Sequence, residues 1–305
     1  MIKDFKDILD LARKKGPRTL SVAVAQDKEV LQSVKKAKYE QIANSILVGD
    51  KEEIENIAKD INMDLNEFEI VDIKDKKEAS LKAVELVSKG KADLVMKGIV
   101  DTSIILKAVL DKEVGLKTGN LLSHVVAFDI PTYEKILLVS DAAMNIDPDL
   151  DAKKKILENA NFVAYSLDIE EPKIAVICAK EKVNPKMPDT VDAAELTKMN
   201  ENGEITGCIV KGPFALDNAI SKQAAIHKGI EHPVAGNADI LLMPDIEAGN
   251  ILYKSLVFLA NANIAGVIVG AKAPVVLTSR ADDDEAKFNS IALGVLMASK
   301  NKEAE

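Results

Sequence analysis

The residues with the clearest chemical potential follow an apolar run near the carboxyl end of the chain. The run "PVVLT" (274–278) leads directly into Ser279 and Arg280, and an acidic stretch ending at Glu285 comes next. A guanidinium is always charged and offers a planar fork of donors, so an arginine directly after a buried strand points to an anion. The acids have a simpler explanation, because Asp282 and Glu285 fit a capping box at a helix start. On residue chemistry alone, two roles stay open for Arg280, namely substrate binding and a structural ion pair.

A second set of polar residues follows the run "ADLVM" (92–96). Lys97 and Gly98 end this run, and Thr102 and Lys107 belong to the helical segment after it. In an open α/β sheet, ligands bind at the carboxyl ends of strands, and helix N-termini with nearby glycines hold phosphates. These residues therefore suit a phosphate or another small anion, although a single lysine at a strand end is more often simply solvated.

An α/β architecture must position these residues. Short apolar runs rich in Val and Ile alternate with segments of helical spacing, which is typical of α/β proteins. The predicted strands lie at 19–25, 45–49, 68–73, 92–98, 121–130, 135–141, 173–179, 207–212, 238–244, 265–270 and 274–279. The link "DIPTYE" inside 121–141 predicts an antiparallel pair. A polar, proline-containing break predicts two α/β domains, the first comprising 1–145 with about 275–305 and the second comprising 146–274.

The charge balance disfavours some classes of partner. The 305 residues include 40 basic and 49 acidic side chains, a net charge of −9, which disfavours nucleic acid and membrane surfaces. The amino terminus has no uninterrupted apolar region of signal-peptide type, and the longest apolar tract, 256–277, is broken by polar residues and a proline. We therefore expect a cytoplasmic protein in which Cys178 and Cys208 are buried free thiols.

The common nucleotide and metal motifs are missing from the sequence. It contains no G-x-x-x-x-G-K-[ST] and no G-x-G-x-x-G after the first strand, which disfavours P-loop and dinucleotide-binding enzymes. Its three histidines, His124, His227 and His232, have no carboxylate or thiol at metal-ligand spacing. We expect neither a metal nor a cofactor, and His124 is more often a packed residue than a catalytic base.

Three stretches resemble the family of phosphate acetyltransferases and phosphate butyryltransferases. The segment "GPFALDNAISKQAAIHKGIEHPVAGNADILLMPDIEAGNILYK" (212–254) is similar to the family's G-P-x-x-x-D-x-A, P-V-A-G and P-D-x-x-x-G-N motifs, the last of which contains Asn250. The segment "SDAAMNIDPD" (140–149) is similar to D-x-A-x-N-x-x-P, and Ser279 with Arg280 precedes an acidic helix start. An ordered block of this length is far more specific than a single glycine motif.

The resemblance implies reversible acyl transfer between coenzyme A and inorganic phosphate, with coenzyme A as a substrate and no cofactor. It also implies two α/β domains like those of the isocitrate and isopropylmalate dehydrogenases, an active site in the interdomain cleft, and a homo-oligomer built on dimers. Ser279 matches the serine that hydrogen-bonds the reacting carbonyl, and Arg280 matches the arginine that holds phosphate. Lys107 and Lys135 stand where acetyltransferases have further arginines, and Asn250 is assigned to substrate binding.

The resemblance does not supply the group that accepts the thiol proton. Acetyltransferases have an aspartate seven residues after the serine, and this position is Ala286 here. Asp283, Asp284 or Glu285 could take its place, as could the substrate phosphate, and we favour Asp284 or Glu285. We expect direct attack in a ternary complex, with Ser279 stabilising the developing oxyanion.

The transferred acyl group is predicted to be butyryl. Ala286, the lysine replacements and "NPKMPDTVDA" (184–193) resemble the butyryltransferase branch of the family. Acetyl transfer stays open as the alternative within the family. Two other classes also stay open, namely a hydroxy-acid dehydrogenase and a non-catalytic protein that binds coenzyme A esters or acyl phosphates.

Overall fold

The computed structural model describes residues 2–279 and 282–304. Within them the strands are β1 (Arg18–Ala23), β2 (Ala43–Gly49), β3 (Glu69–Asp72), β4 (Leu94–Lys97), β5 (Ser123–Asp129), β6 (Leu137–Ser140), β7 (Lys173–Ile177), β8 (Ile209–Phe214), β9 (Ile240–Leu242), β10 (Asn263–Val269) and β11 (Val275–Val276). The helices are α1 (Phe5–Lys15), α2 (Lys28–Tyr39), α3 (Lys51–Asp60), α4 (Lys76–Ser88), α5 (Thr102–Val109), α6 (Leu150–Ser166), α7 (Pro188–Glu201), α8 (Leu216–Ile220), α9 (Lys222–His227), α10 (Ile246–Phe258) and α11 (Asp284–Ala304). This alternation confirms the predicted α/β class. In the same residues no helix is both long and apolar enough to cross a bilayer.

The chain forms two compact units, which we call the terminal unit and the central unit. The terminal unit comprises Phe5–Asn120 with Ile264–Glu305, and the central unit comprises Met1–Asp4 with Leu121–Asn263. The first boundary thus precedes β5 instead of falling near residue 145, because β5 pairs with β6 and β6 pairs with β9 of the central unit. The second boundary precedes residue 275 because β10 pairs with β11.

The sheet of the terminal unit has the strand order β3-β2-β1-β4-β11-β10. Its neighbouring strands are parallel except β10 and β11, which form an antiparallel pair. The strands read as continuous apolar runs because both faces of a parallel sheet are covered, and Leu20, Val22 and Val95 are fully buried. Parallel strands end at a common edge, so the residues that follow β1, β4 and β11 come together there.

Helix α11 is held in the core of the terminal unit. Phe288, Ile291 and Val295 on this helix are fully buried. A Cβ at Gly294 would lie 2.8 Å from side-chain carbons of both Leu94 and Val276. The glycine therefore lets α11 approach β4 and β11 closely. This packing fixes the position of the first turn of α11, which carries several of the predicted site residues.

In the central unit the strands pair in the order β5-β6-β9-β7-β8. All neighbouring strands are parallel except β5 and β6, whose antiparallel pairing confirms the prediction for 121–141. Cys178 and Cys208 lie in this unit as buried free thiols, as predicted. Burial raises the pKa of Cys178 to about 12 and that of Cys208 to about 11. Neither sulfur is therefore a thiolate nucleophile near neutral pH.

Candidate functional site

The carboxyl edge of the terminal sheet contains a small cleft, which we call the Ser279 cleft. It is formed by the residues after β4 and β11, the start of α2 and the first turn of α11. Its lining residues are Asp27, Val30, Lys97, Gly98, Ile99, Thr278, Ser279 and Lys287. The structure thus brings together three residues that the sequence predicted, Lys97, Gly98 and Ser279. Arg280, the predicted anion-binding arginine, lies outside the described residues.

The floor of the cleft requires a glycine at position 98. A Cβ there would lie 2.2 Å from the carbonyl oxygen of Val24 and 2.6 Å from that of Ala23, distances that no side chain tolerates. The N–H of Gly98 donates to the carbonyl oxygen of Ala23 at 2.8 Å, and the N–H of Ile99 donates to that of Val24 at 2.9 Å. Val24 itself has a φ of 59°, a left-handed conformation that is strained for a β-branched residue. The loops after β1 and β4 are therefore locked against each other at the site.

Two buried lysines give the cleft its positive charge. Lys97 ends β4 with 6% of its surface exposed, and Lys287 lies in the first turn of α11 with 4% exposed. The ammonium of Lys97 donates to the carbonyl oxygens of Gly98 and Val100 at 3.4 and 3.3 Å. The ammonium of Lys287 donates to the carbonyl oxygen of Asp282, its one acceptor in the described part of the chain. Two buried ammonium groups in one cleft create a positive potential that favours an anion.

The acidic stretch before α11 is arranged differently from the prediction. The helix begins at Asp284, and Asp283 caps it by accepting a hydrogen bond from the N–H of Ala286 at 2.8 Å. Asp282, which the sequence predicted as the cap, instead accepts a hydrogen bond from the N–H of Ser279 at 2.7 Å. The predicted capping box is therefore wrong by one residue. The shift frees the Asp282 carboxylate from the helix end and turns it toward the Ser279 loop.

The carboxyl group of Asp282 lies in a partly buried, mixed-charge setting. Burial raises the pKa of this carboxyl above its usual range, and the neighbouring charge of Asp283 acts in the same direction. The hydrogen bond from Ser279 and the charges of Lys287 and Lys97 lower it, but burial outweighs them. Asp282 is therefore more basic than a carboxylate at a solvated helix start.

The two acids that the sequence favoured as proton acceptors lie outside the lining of the Ser279 cleft. Asp284 lines a separate surface cavity formed mainly by side chains of α2. Glu285 forms an ion pair with Lys36 on α2, and both side chains are partly exposed. Neither is therefore placed as the sequence suggested, because the helix start directs them toward α2.

Thr102 and Lys107 lie on α5, where both are exposed and neither lines the Ser279 cleft. Thr102 is the first residue of that helix, and Lys107 is in its last turn. The cleft receives its second lysine from α11 instead. Lys287 precedes Ile291 and Val295 by four and eight residues and so lies on the apolar face of the helix. A lysine at that helical spacing was the signal that the sequence analysis missed.

Lys135 belongs to the central unit, where its side chain is hydrogen-bonded to Asn237 and Asp239. Its buried ammonium donates to Oδ1 of Asp239 at 2.5 Å and to the carbonyl and side-chain oxygens of Asn237 at 2.9 and 3.1 Å. These three contacts use all three protons of the ammonium. Burial lowers the pKa of Lys135 despite the adjacent carboxylate. In the structure the ammonium of Lys135 is thus engaged within the central unit, and its role in substrate binding stays a prediction.

Asn250 also belongs to the central unit, where it braces a loop. Its side-chain amide donates to the carbonyl oxygen of Ala142 at 3.2 Å. A Cβ on the preceding residue, Gly249, would lie 2.3 Å from the carbonyl oxygen of Asp141. The Asp141 carboxylate in turn accepts hydrogen bonds from residues of its own loop, including 2.6 Å from the side chain of Asn145. The two motifs noted at 140–149 and 244–250 thus pack against each other.

The described residues contain no group of three His, Cys, Asp or Glu side chains placed to hold a metal ion. The Ser279 cleft offers a hydroxyl, a glycine that permits close backbone packing and two buried ammonium groups. The carboxylate of Asp282, whose pKa is raised, is not part of the lining but accepts a hydrogen bond from the backbone N–H of Ser279. Such a set can bind an anion, polarise a carbonyl and accept a proton.

Comparisons with known proteins extend over nearly the whole chain. The family profile described as "Phosphate acetyl/butaryl transferase" matches residues 4–80 and 74–295. The phosphate butyryltransferase of Clostridium acetobutylicum is 53% identical over 298 residues, which are 98% of this chain and 99% of that protein. The phosphate acetyltransferase of Thermotoga maritima is 48% identical over 294 residues, 96% of this chain and 99% of that protein.

A solved structure leads to the same conclusion. The branched-chain phosphotransacylase from Enterococcus faecalis superposes with a TM-score of 0.82 at 39% identity, covering 92% of this chain and 99% of that one. Because the profile and the relatives each match most of the sequence, this chain belongs to the phosphate acetyltransferase and phosphate butyryltransferase family.

Proposed function

We propose that the protein reversibly transfers a short-chain acyl group, preferentially butyryl, between coenzyme A and inorganic phosphate. The observation that carries this proposal is the pair of buried ammonium groups, Lys97 and Lys287, in one cleft with Ser279. Two buried cations stabilise an anion strongly because the surrounding medium screens them less than water does. The names of the close relatives suggest phosphate as that anion and butyryl or acetyl as the acyl group, and the family resemblance implies coenzyme A as the acyl carrier.

The proposed chemistry is direct attack in a ternary complex. A phosphate oxygen attacks the thioester carbonyl carbon, a C–O bond forms, the C–S bond breaks and the sulfur leaves as the thiol after gaining a proton. The Ser279 hydroxyl donates to the carbonyl oxygen as negative charge develops there, a contact typically worth about 3 kcal/mol. Lys97 and Lys287 hold the phosphate, together with Arg280 as the family resemblance implies.

The cleft must widen to accept phosphate. The space between its lining side chains is about 10 Å³, which is room for roughly one water molecule. Gly98 and the backbone around it are locked, so we propose that the lysine side chains move apart while the floor stays in place. When phosphate binds, the two lysines give up their hydrogen bonds to backbone carbonyl oxygens and donate to phosphate oxygens instead.

Initial velocities with both substrates test the proposed reaction. With butyryl-CoA and phosphate varied together, direct transfer gives double-reciprocal lines that intersect, whereas a covalent acyl-serine gives parallel lines. Release of coenzyme A that does not depend on phosphate would refute the proposal. Metal chelation and the omission of nicotinamide cofactors should leave the rate unchanged, which separates this function from a dehydrogenase.

The acyl preference needs its own measurement, because one close relative is named a butyryltransferase and another an acetyltransferase. Comparing kcat/KM for acetyl-, butyryl- and branched acyl-CoA decides between them. Two extra methylene groups in an apolar pocket are expected to favour butyryl over acetyl by about 10-fold or more. Equal values for the two substrates would contradict the butyryl assignment.

We also propose that the protein self-associates through α10. The helix is strongly apolar, yet Gly249 is its one buried residue. Ile251 is 67% exposed, Phe258 is 69% exposed and Leu259, directly after the helix, is 82% exposed. Contiguous exposed apolar side chains of this kind mark protein interfaces. A second copy of the chain is the partner that the family resemblance implies.

Ile251→Glu is expected to dissociate the oligomer, because it places a charge at the centre of an apolar interface. Light scattering coupled to gel filtration gives the mass directly. Val183→Glu is the matched control, since Val183 is also an exposed aliphatic residue but does not belong to α10. A parent protein that is monomeric at micromolar concentration would contradict this part of the proposal.

A further inference from the structure

We infer that Asp282 is the catalytic residue that accepts the thiol proton of coenzyme A, and that it takes this role in place of position 286, which is alanine. The inference rests on the proposed function and assigns a residue for which the sequence analysis favoured Asp284 or Glu285. It follows from where the three carboxylates point once α11 begins at Asp284.

The geometry places the Asp282 carboxylate beside the reacting centre. Its Oδ2 accepts a hydrogen bond from the backbone N–H of Ser279 at 2.7 Å. The carboxylate therefore contacts the backbone of the residue whose hydroxyl is proposed to hold the carbonyl oxygen. Its Oδ1 has no hydrogen-bond partner in residues 2–279 and 282–304. Asp283 is engaged as the helix cap. Asp282 is thus the acid of this stretch with an oxygen available near Ser279.

Burial of Asp282 outweighs the neighbouring positive charges and favours a base that can exchange protons with a thiol. Lys97 from β4 and Lys287 from α11 face it, Asp283 adjoins it, and Asp27 at the start of α2 lines the Ser279 cleft with the two lysines. Burial raises the pKa of Asp282 above that of an ordinary aspartate. Proton transfer is most efficient when the pKa of the base approaches that of its partner, and a free thiol has a pKa of about 8.5.

The proton balance of the step is simple. In the direction that consumes acyl phosphate, Asp282 removes the S–H proton while sulfur attacks the carbonyl carbon and the C–S bond forms. The C–O bond to the phosphate then breaks, and the phosphate leaves between Lys97 and Lys287. The leaving phosphate oxygen takes up the proton held by Asp282, so phosphate departs as hydrogen phosphate and Asp282 is a carboxylate again. In the opposite direction the attacking hydrogen phosphate gives its proton to Asp282, which passes it to the leaving sulfur, so no other reactant is needed.

Asp282→Asn tests the inference with butyryl phosphate and coenzyme A as substrates. The amide oxygen of asparagine can still accept the hydrogen bond from Ser279, so the loop keeps its geometry. We expect kcat near pH 7 to fall by about 10²- to 10⁴-fold, the usual contribution of a general base. The residual rate should rise about tenfold per pH unit toward the thiol pKa of about 8.5, because thiolate then forms without a base. A purely structural role would not change the pH profile in this way.

Three neighbouring variants serve as controls. Asp283→Asn removes the same charge one residue away and is expected to keep kcat within about twofold, because asparagine caps helices as well as aspartate does. Asp284→Asn and Glu285→Gln are expected to behave like the parent as well. Loss of activity and a new pH dependence in either of these two, with Asp282→Asn unaffected, would overturn the inference.

A second substitution covers the case in which Asp282→Asn does not fold. Asp282→Glu keeps a carboxylate on a longer side chain, so it should retain the parent's pH profile at reduced kcat. If the rate of Asp282→Glu instead rose about tenfold per pH unit, the inference would also be overturned. A parent protein that does not turn over butyryl phosphate and coenzyme A would instead refute the proposed function itself, which separates the two failures.

Discussion

Replacing Lys287 by methionine is expected to lower kcat/KM for phosphate by about 40- to 150-fold. Methionine fills the same buried volume without a charge, so the helix keeps its packing. A hydrogen bond to a charged group contributes about 1.5 to 3 kcal/mol, and the upper half of that range matches the expected loss. Lys97→Met should have a similar effect because its ammonium lines the same cleft. Steady-state kinetics with phosphate as the varied substrate measures both.

Lys36→Met is the matched control for these lysine variants. Lys36 lies close to α11 through its ion pair with Glu285, but it is partly exposed and does not line the Ser279 cleft. Exposed ion pairs contribute about 0 to 1 kcal/mol, so its kcat/KM for phosphate should stay close to that of the parent. Parent-like kinetics in Lys287→Met would show that this buried ammonium does not hold the anion.

Gly98→Ala is expected to lower the free energy of unfolding by about 3 kcal/mol or more, because overpacking against rigid neighbours costs this much. The added methyl group would lie 2.2 Å from a backbone carbonyl oxygen, and the backbone of Val24 cannot yield without moving β1. Urea denaturation followed by circular dichroism measures the change. Folded variant protein should also lose activity, since the displaced loop carries Lys97.

Gly90→Ala separates this clash from a general effect of removing a glycine. Gly90 has a φ of 71°, but a Cβ there would meet no atom within 4 Å. We expect only the cost of a left-handed alanine, about 1 to 2 kcal/mol, and unchanged activity. If Gly98→Ala were no less stable than Gly90→Ala, the close packing of the two loops would be disproved.

The fold was largely predictable from local sequence patterns, but the boundary between the units was not. Apolar runs separated by helical spacing predicted the strands and the antiparallel pair of β5 and β6. That pair belongs to the central unit because β6 pairs with β9, where Leu138 lies opposite Ile240. A pairing between strands so far apart in the chain cannot be read from the spacing of apolar residues in either strand. The sequence analysis therefore placed the boundary at the polar break after residue 145. In the structure this break is only the loop before α6.

The site was predictable to the extent that it depends on strand ends. Lys97, Gly98 and Ser279 were predicted to lie together because ligands collect where parallel strands end, and they line one cleft in the structure. Lys287 was overlooked because a lysine directly after the acidic stretch is typical of a solvated helix surface. The start of α11 differs from the prediction by one residue, and this shift decides that Asp282 turns toward the Ser279 loop while Asp283 caps the helix.

Lys135 shows what a match by family position leaves out, namely the hydrogen-bond partners that surround its ammonium in the structure. The sequence gives no sign that Asp239 and Asn237 surround its ammonium, because they are separated from it by about a third of the chain. Donor saturation can be judged only when all acceptors are located in space. Matching positions between relatives therefore needs the hydrogen-bond partners before a role is assigned.

The most direct test of the account is the stoichiometry of coenzyme A release from butyryl-CoA. Thiol formation is followed with a chromogenic disulfide, and acyl phosphate is trapped as its hydroxamate in the same reaction. We predict that release depends on phosphate, that one acyl phosphate forms for each thiol, and that Lys287→Met lowers both equally. Thiol release without phosphate, or without acyl phosphate as product, would contradict the assignment of the Ser279 cleft as a site of acyl transfer to phosphate.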